Sequence, residues 1–416
     1  MIFWGSAAAA AAKFENFRGA EAKLLTLASR FGNREATTYE MTLFDTRIPR
    51  RVVPLKMKKK DKEGHFVLHG VKVTSTEETK QSSEQQAPLI LLHGYANGAL
   101  YFYRNLVGLS SFFKTIYSLD MLGWGLSSHP DFNLENDSPE CAEAFFVESL
   151  EAWRQAQDID KMILAGHSMG GYLSVAYCEK YPERVERLVL LSPVGVPEQD
   201  NDKIEKLREK IRSSSFSRRA MFSFYEVLFG RGHTPGSMGR TFPNTRVKNM
   251  VSSYVERRLP AITDPEEQRA VADYLYCNSA LPGSGEFALK YLLDPFGMAR
   301  NPLMRRIPLL KVPQVTFLYG SDDWMDSSGG LDTQKFCEQM DSPTPKIDVY
   351  EVSNAGHLLM LDNYEEFNAG VVIGGLGLEA LPKNVSVPTK LLLGESVQPD
   401  RADDVVRPDT RVPIVA

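Results

Sequence analysis

The sequence predicts an α/β protein: a mostly parallel central sheet flanked by helices, with a helical lid inserted between two of its strands. Three observations predict it. Six short apolar runs alternate with helical segments, and continuous runs of this kind suit strands buried on both faces of a parallel sheet. Residues 196–311, rich in charged helical sequence and Gly/Pro breaks, separate the fourth run from the fifth and are too many for a loop. Gly166-His167-Ser168-Met169-Gly170 joins the third run to a helix through a turn of small residues.

The composition agrees. A chain of 416 residues with 43% hydrophobic and 24% charged residues can bury a sizeable core, which excludes a disulfide-stapled mini-protein, a collagenous chain and global disorder. With 48 Lys plus Arg against 53 Asp plus Glu, the net charge of −5 excludes a nucleic-acid binder read from the whole chain. The four cysteines, Cys141, Cys178, Cys277 and Cys337, are far apart and lack a CxxC pair, so neither a zinc site nor a disulfide framework is expected. Nothing approaches a membrane-spanning run. Met1 to Ser6 and the alanines that follow lack a basic region ahead of the apolar stretch, a poor secretory signal; an organelle presequence, a membrane-dipping end and a non-native addition all stay open.

In chain order, residues 1–75 form an N-terminal helix and lead-in. Leu24, Leu27, Ala28 and Phe31 fall on one face of a helix over 20–31, whose stripe needs a partner surface. The polar stretch 74–87 reads as a surface linker, after which the folded core begins. The core's first part, 76–195, carries runs at 88–92, 115–119, 162–165 and 187–191. The insertion occupies 196–311. The second part, 312–385, carries runs at 315–319 and 347–352. Residues 386–416, with Pro388, Pro399, Pro408 and Pro413, read as an extended or disordered tail.

The chemistry follows from the turn at Ser168. A serine on a tight strand-to-helix turn is exposed as a nucleophile, but its hydroxyl needs a base, and the base an orienting acid. The chain order Ser, Asp, His is present: Gly320-Ser321-Asp322-Asp323 follows one run and Asn354-Ala355-Gly356-His357 the next, both at strand carboxyl ends, where catalytic groups collect. Asp323 is the preferred acid over Asp322, His357 is the base, and His167 packs against its neighbours. An oxyanion hole needs two amides, and Tyr95, after His93-Gly94, and Met169, after the serine, are the candidates. No metal or cofactor is required.

On His93-Gly94, Asp120 to Ser127, Gly166 to Gly170, Gly320 to Asp323 and Gly356-His357, the chain resembles the α/β-hydrolase fold family over most of residues 85–370. Within it the sequence looks most like the branch of the Chanarin–Dorfman lipase co-activator, its plant relatives and the fungal mitochondrial cardiolipin deacylase. The features shared with that branch are Ala20 to Leu25, Tyr319 to Met325, Gly285-Glu286-Phe287, Met298 to Pro302 and an H-x-x-x-x-D formed by His357 and Asp362. The resemblance implies acyl hydrolysis of phospholipids, lysophospholipids or acylglycerols, with lysophosphatidic acid acyl transfer as a side activity. Animal co-activators lack the elbow serine, whereas this chain keeps Ser168, which favours an enzyme over a lipid-droplet-associated regulator of a separate lipase. An epoxide hydrolase or dehalogenase would carry Asp at 168. For Asp362, capping of the helix that follows is preferred to a direct chemical role.

The partners implied are a lipid substrate and the surface of a membrane or lipid droplet, which the chain meets peripherally. Localisation is expected to be intracellular, in the cytoplasm or on a lipid droplet or the endoplasmic reticulum, with a mitochondrial site also open. Residues 201–260 carry thirteen Lys or Arg against five acids, +8 in a chain of −5, interleaved with aromatics. Arg218, Arg219, Phe222 and Phe224 are the residues expected to face the lipid.

Overall fold

A computed structural model describes residues 7–32, 38–76, 86–198, 201–242 and 244–393, without some side chains between 201 and 225. A nine-stranded sheet holds it together. The strands are β1 (Tyr39–Pro49), β2 (His65–Ser75), β3 (Leu89–Leu92), β4 (Thr115–Leu119), β5 (Met162–His167), β6 (Val185–Leu191), β7 (Gln314–Gly320), β8 (Lys346–Val352) and β9 (Thr389–Lys390), in the order β1-β2-β4-β3-β5-β6-β7-β8-β9. From β4 to β8 neighbours are parallel, and these six are the six apolar runs. Every residue of β3 and β5 is buried, as strands covered on both faces require.

The N-terminal part corrects the expectation that the folded core begins after residue 87. β1 pairs antiparallel with β2, from Tyr39 opposite Ser75 to Pro49 opposite His65, and β2 pairs antiparallel with β4. β1 is an edge strand with one wet face, so its mixed polar and apolar sequence lacks a continuous apolar run. Thr74 and Ser75, assigned to the linker, belong to β2, and residues 77–85 lie outside the described residues. Within the predicted tail, Thr389 and Lys390 pair antiparallel with β8, while residues 394–416 lie outside the described residues, as do residues 1–6.

The predicted helix over 20–31 runs from Ala7 to Ala28, because six alanines extend it with the best helix former. Its stripe, Phe17, Leu24, Leu27 and Ala28, is buried in the chain's own core. Phe31 lies beyond the helix, edge-on to Tyr103. On the other face of the sheet, helices Pro139–Ala156 and Met169–Lys180 bury Phe145, Trp153 and Tyr172. Each large apolar side chain withdrawn from water this way contributes about 1.5–3 kcal/mol before entropy is counted.

The insertion between β6 and β7 has two characters. Helices Asn201–Arg212, Phe216–Gly230 and Asn244–Arg258 bury little: of the side chains described between 201 and 258, Phe229, Thr234 and Val255 are buried. Helix Pro265–Ala280, in contrast, is built into the core through Ala270, Val271 and Tyr274, and packs on the N-terminal helix. Its Glu267 receives Nε and Nη2 of buried Arg104 at 2.7 and 2.9 Å, while Arg104 Nη1 donates to the Leu361 carbonyl at 2.8 Å. Satisfying every nitrogen-to-oxygen contact is what keeps such a buried pair tolerable.

Candidate active site

Ser168 caps the carboxyl end of β5 with φ 53° and ψ −116°, a backbone conformation that costs free energy and persists because neighbours enforce it. Its amide donates to Leu191 O at 2.9 Å, and its carbonyl accepts from Gly171 at 3.0 Å and Tyr172 at 3.2 Å. The two motif glycines are steric requirements. A Cβ on Gly166 would lie 2.4 Å from the Gly170 carbonyl, and one on Gly170 would lie 2.5 Å from the His93 carbonyl. Only hydrogen at both positions lets helix, strand and the His93 turn close around the serine.

Asp323 and His357, from the loops after β7 and β8, come together. His357 Nδ1 lies 3.1 Å from Asp323 Oδ1, which also accepts from the Met325 amide at 2.9 Å, and the Asp323 side chain is fully buried. The Ser192 hydroxyl donates to the other oxygen, Oδ2. With all these donors the carboxylate remains an acceptor, so the proton between the two lies on His357 Nδ1, and in a neutral ring Nε2 is then the nitrogen free to accept. Nε2 is buried and bonded to no described group of the chain. Asp322 is exposed, and among the described residues its carboxylate meets the Ser321 hydroxyl at 3.3 Å.

The His93-Gly94-Tyr95 turn abuts the elbow: a Cβ on Gly94 would stand 3.0 Å from Ser168 Cβ. His93 Nδ1 donates to Gly94 O at 2.7 Å and Nε2 accepts from Met121 N at 3.0 Å, so the imidazole staples two loops. Burial pushes it down to about 4, against the Gly94 bond, and it stays neutral. Met169 opens helix Met169–Lys180, where first-turn amides lack intrahelical acceptors and the helix end is electropositive. Among the described residues neither the Met169 nor the Tyr95 amide donates to another group of the chain.

Two sequence expectations change. His167 does more than pack: its Nε2 lies 2.9 Å from the His357 carbonyl. Asp362 does not cap the following helix; Asn363 does, accepting from Glu366 N at 3.3 Å, because Asp362 closes a preceding turn, Leu359–Asp362. Asp362 Oδ2 instead accepts from Gly356 N at 2.9 Å. Burial pushes Asp362 up to about 6, with Gly356 and Arg104 opposing and Asp323 and Asp322 adding. Of the proposed lipid-facing residues, Arg219 is exposed and the Phe222 ring lies 5.4 Å from Phe296; the side chains of Arg218 and Phe224 lie outside the described ones.

Sequence reasoning missed Ser192 and Trp324. Ser192 follows β6 at a strand carboxyl end, a positional signal that could have found it. Trp324, 64% exposed, lays its ring 4.8 Å from that of His357; it lies in the Tyr319 to Met325 stretch shared with the resembling branch, a signal that could have pointed to it. Among the described residues, Glu21, His69 and Asp120 could hold a metal, their ligand atoms lying within 4.8 Å of one another. The atoms are already engaged, however: both His69 nitrogens face carboxylates, and Asp120 accepts from the amides of Ala99 and Leu126.

Comparisons agree with this architecture. The chain matches the family described as alpha/beta hydrolase fold over residues 87–364. It is 33% identical over 302 residues to a 1-acylglycerol-3-phosphate O-acyltransferase of Arabidopsis thaliana, covering 71% of this chain and 68% of that one. It is 34% identical over 295 residues to a (lyso)-N-acylphosphatidylethanolamine lipase of Mus musculus, covering 69% and 79%. Among solved structures, a carboxylesterase of Bacillus subtilis superposes with a TM-score of 0.51 at 19% identity, covering 88% of this chain and 99% of that one.

Proposed function

The chain belongs to the α/β-hydrolase fold family, and from that premise we propose that it is a serine carboxylic-ester hydrolase acting on lipids. One observation carries the reading: Ser168 occupies the strained elbow while His357, proton on Nδ1 toward Asp323, keeps a bare and buried Nε2. In this reading Nε2 takes the Ser168 hydroxyl proton as Oγ attacks the ester carbonyl. The Tyr95 and Met169 amides hold the oxyanion, and Asp323 steadies the imidazolium. The proton then passes to the departing alkoxide, leaving an acyl-serine. Water, deprotonated by Nε2, adds to the acyl carbon, and as the bond to Ser168 Oγ breaks that proton returns to Oγ and the fatty acid leaves. A lysophospholipid hydroxyl in place of water gives acyl transfer instead.

The lipid substrate class rests on the relatives, whose names speak of acylglycerol phosphate and N-acylphosphatidylethanolamine. Among the described residues no helix is long and apolar enough to cross a membrane. The reading therefore has the enzyme meet lipid peripherally, through the basic first half of the insertion. The test combines fluorophosphonate labelling with lysophospholipid hydrolysis. Wild-type protein labels and hydrolyses, and Ser168→Ala does neither. An unlabelled wild-type protein that stimulates a separate lipase would replace the enzyme reading with the regulatory one.

A further inference from the structure

We infer that His167 and Asp362 are positioning residues that fix the main chain on either side of the His357 side chain. The inference rests on the catalytic reading above and adds to it how the base is placed.

His357 sits in a loop between β8 and the turn Leu359–Asp362, entered through Asn354 at φ 52°. Its bond to Asp323 sets the tilt of the ring but not the position of Cα. Three bonds on consecutive residues set that position. Ala355 O accepts from Asp322 N at 2.8 Å, Gly356 N donates to Asp362 Oδ2 at 2.9 Å, and His357 O accepts from His167 Nε2 at 2.9 Å. The first is backbone to backbone; the other two depend on side-chain identity.

His167 is suited to its part. A carbonyl only accepts, so the proton must sit on Nε2, and the bare, buried Nδ1 has no partner among the described groups. Burial and the neighbouring His357 keep this imidazole neutral, well below the usual range. Because His167 immediately precedes Ser168, its bond ties the nucleophile's own strand end to the base's main chain. Any displacement of one is carried to the other.

Asp362 rests on a fixed platform. Arg104 Nη1 holds the Leu361 carbonyl at 2.8 Å and Asn105 Nδ2 the Met360 carbonyl at 3.1 Å, so the turn that presents the carboxylate is anchored from helix Tyr103–Leu109. Capping is already done by Asn363, and Asp362 Oδ1 is buried without a partner among the described groups. What remains for this side chain is its grip on Gly356.

The experiment compares His167→Ala and His167→Gln, then Asp362→Ala and Asp362→Asn, on a soluble short-chain ester, with melting temperature measured for each. Misplacing a catalytic group by about 1 Å costs on the order of a hundredfold in rate. The alanine variants are therefore expected to lose about tenfold to a hundredfold in kcat, with KM within about threefold. Gln keeps an N–H donor and Asn keeps an acceptor, so both should recover most of the rate. The proton resonance of His357 Nδ1 should broaden in the alanine variants and return in the amide ones, a readout that global stability does not move. Alanine variants with wild-type kcat, or amide variants as slow as alanine at equal melting temperature, would overturn the clamp. Ser168→Ala run alongside separates the causes: if it keeps full activity, the catalytic reading fails and the clamp with it. If it is inactive while the alanine variants are fast, the clamp alone fails.

Discussion

Glu21 of the N-terminal helix meets His69 of β2 at 3.0 Å from Nε2, with both side chains almost wholly out of water. Asp45 of β1 takes Nδ1 at 2.7 Å, and Asp120 lies close enough to act through its charge. Burial works against the imidazolium, but these three carboxylates outweigh it and raise His69 to about 9. A group whose folded value is raised binds its proton more tightly in the native state. The stability it adds is complete below the unfolded value near 6.5 and is lost as pH rises through about 9. The loss is on the order of 3 kcal/mol. Thermal unfolding measured from pH 6.5 to 9.5 should show a falling melting temperature that His69→Gln flattens; equal slopes in both proteins would remove this role.

The two neighbouring acids after β7 separate sharply. Asp323→Asn replaces the buried acceptor of His357 and Ser192 and should lower kcat by orders of magnitude. Asp322→Asn changes an exposed side chain and should leave kcat within about threefold. Steady-state ester hydrolysis by the two variants decides it, and the reverse ranking would move the acid by one residue.

Gly170→Ala tests the elbow's packing without touching a reacting atom. The added methyl would stand 2.5 Å from His93 O and 2.6 Å from Leu92 O, both backbone. Overpacking of this kind costs about 1–3 kcal/mol. We expect a lower melting temperature together with slower fluorophosphonate labelling, because strand, helix and the His93 turn separate around Ser168.

Vesicle binding should rise with the fraction of anionic phospholipid and fall with added salt, since residues 201–260 carry a +8 excess. Changing Arg218 and Arg219 to Glu should weaken it while hydrolysis of a soluble short-chain ester is kept. Sedimentation with vesicles of graded charge measures this, and binding indifferent to both lipid charge and salt would reduce the insertion to a wall of the acyl pocket.

The six parallel strands and the loops at their carboxyl ends were legible because burial on both faces forces an unbroken apolar signature onto residues such as Leu89–Leu92. β1 and β2 were not: an edge strand such as Tyr39–Pro49 is half wet, and its register is written only in the partner. The meeting of His357 with Asp323 could be anticipated from chain order. The bond from His167 to the His357 carbonyl could not, since it spans 190 positions and joins a side chain to a backbone oxygen that every residue possesses.

The pairing of helix Ala7–Ala28 with helix Pro265–Ala280, bridged by Lys23 and Asp273 250 positions apart, has a consequence for birth on the ribosome. At about 5–20 residues per second, the earlier helix waits on the order of tens of seconds for the later one to be synthesised. Throughout that interval the helix can pack only on earlier elements such as residues 99–109, and Phe17 lacks the Tyr274 ring that lies 4.9 Å from its own in the finished fold. Ribosomes stalled near residue 250 should leave it more open to a protease than the released chain of 416 residues.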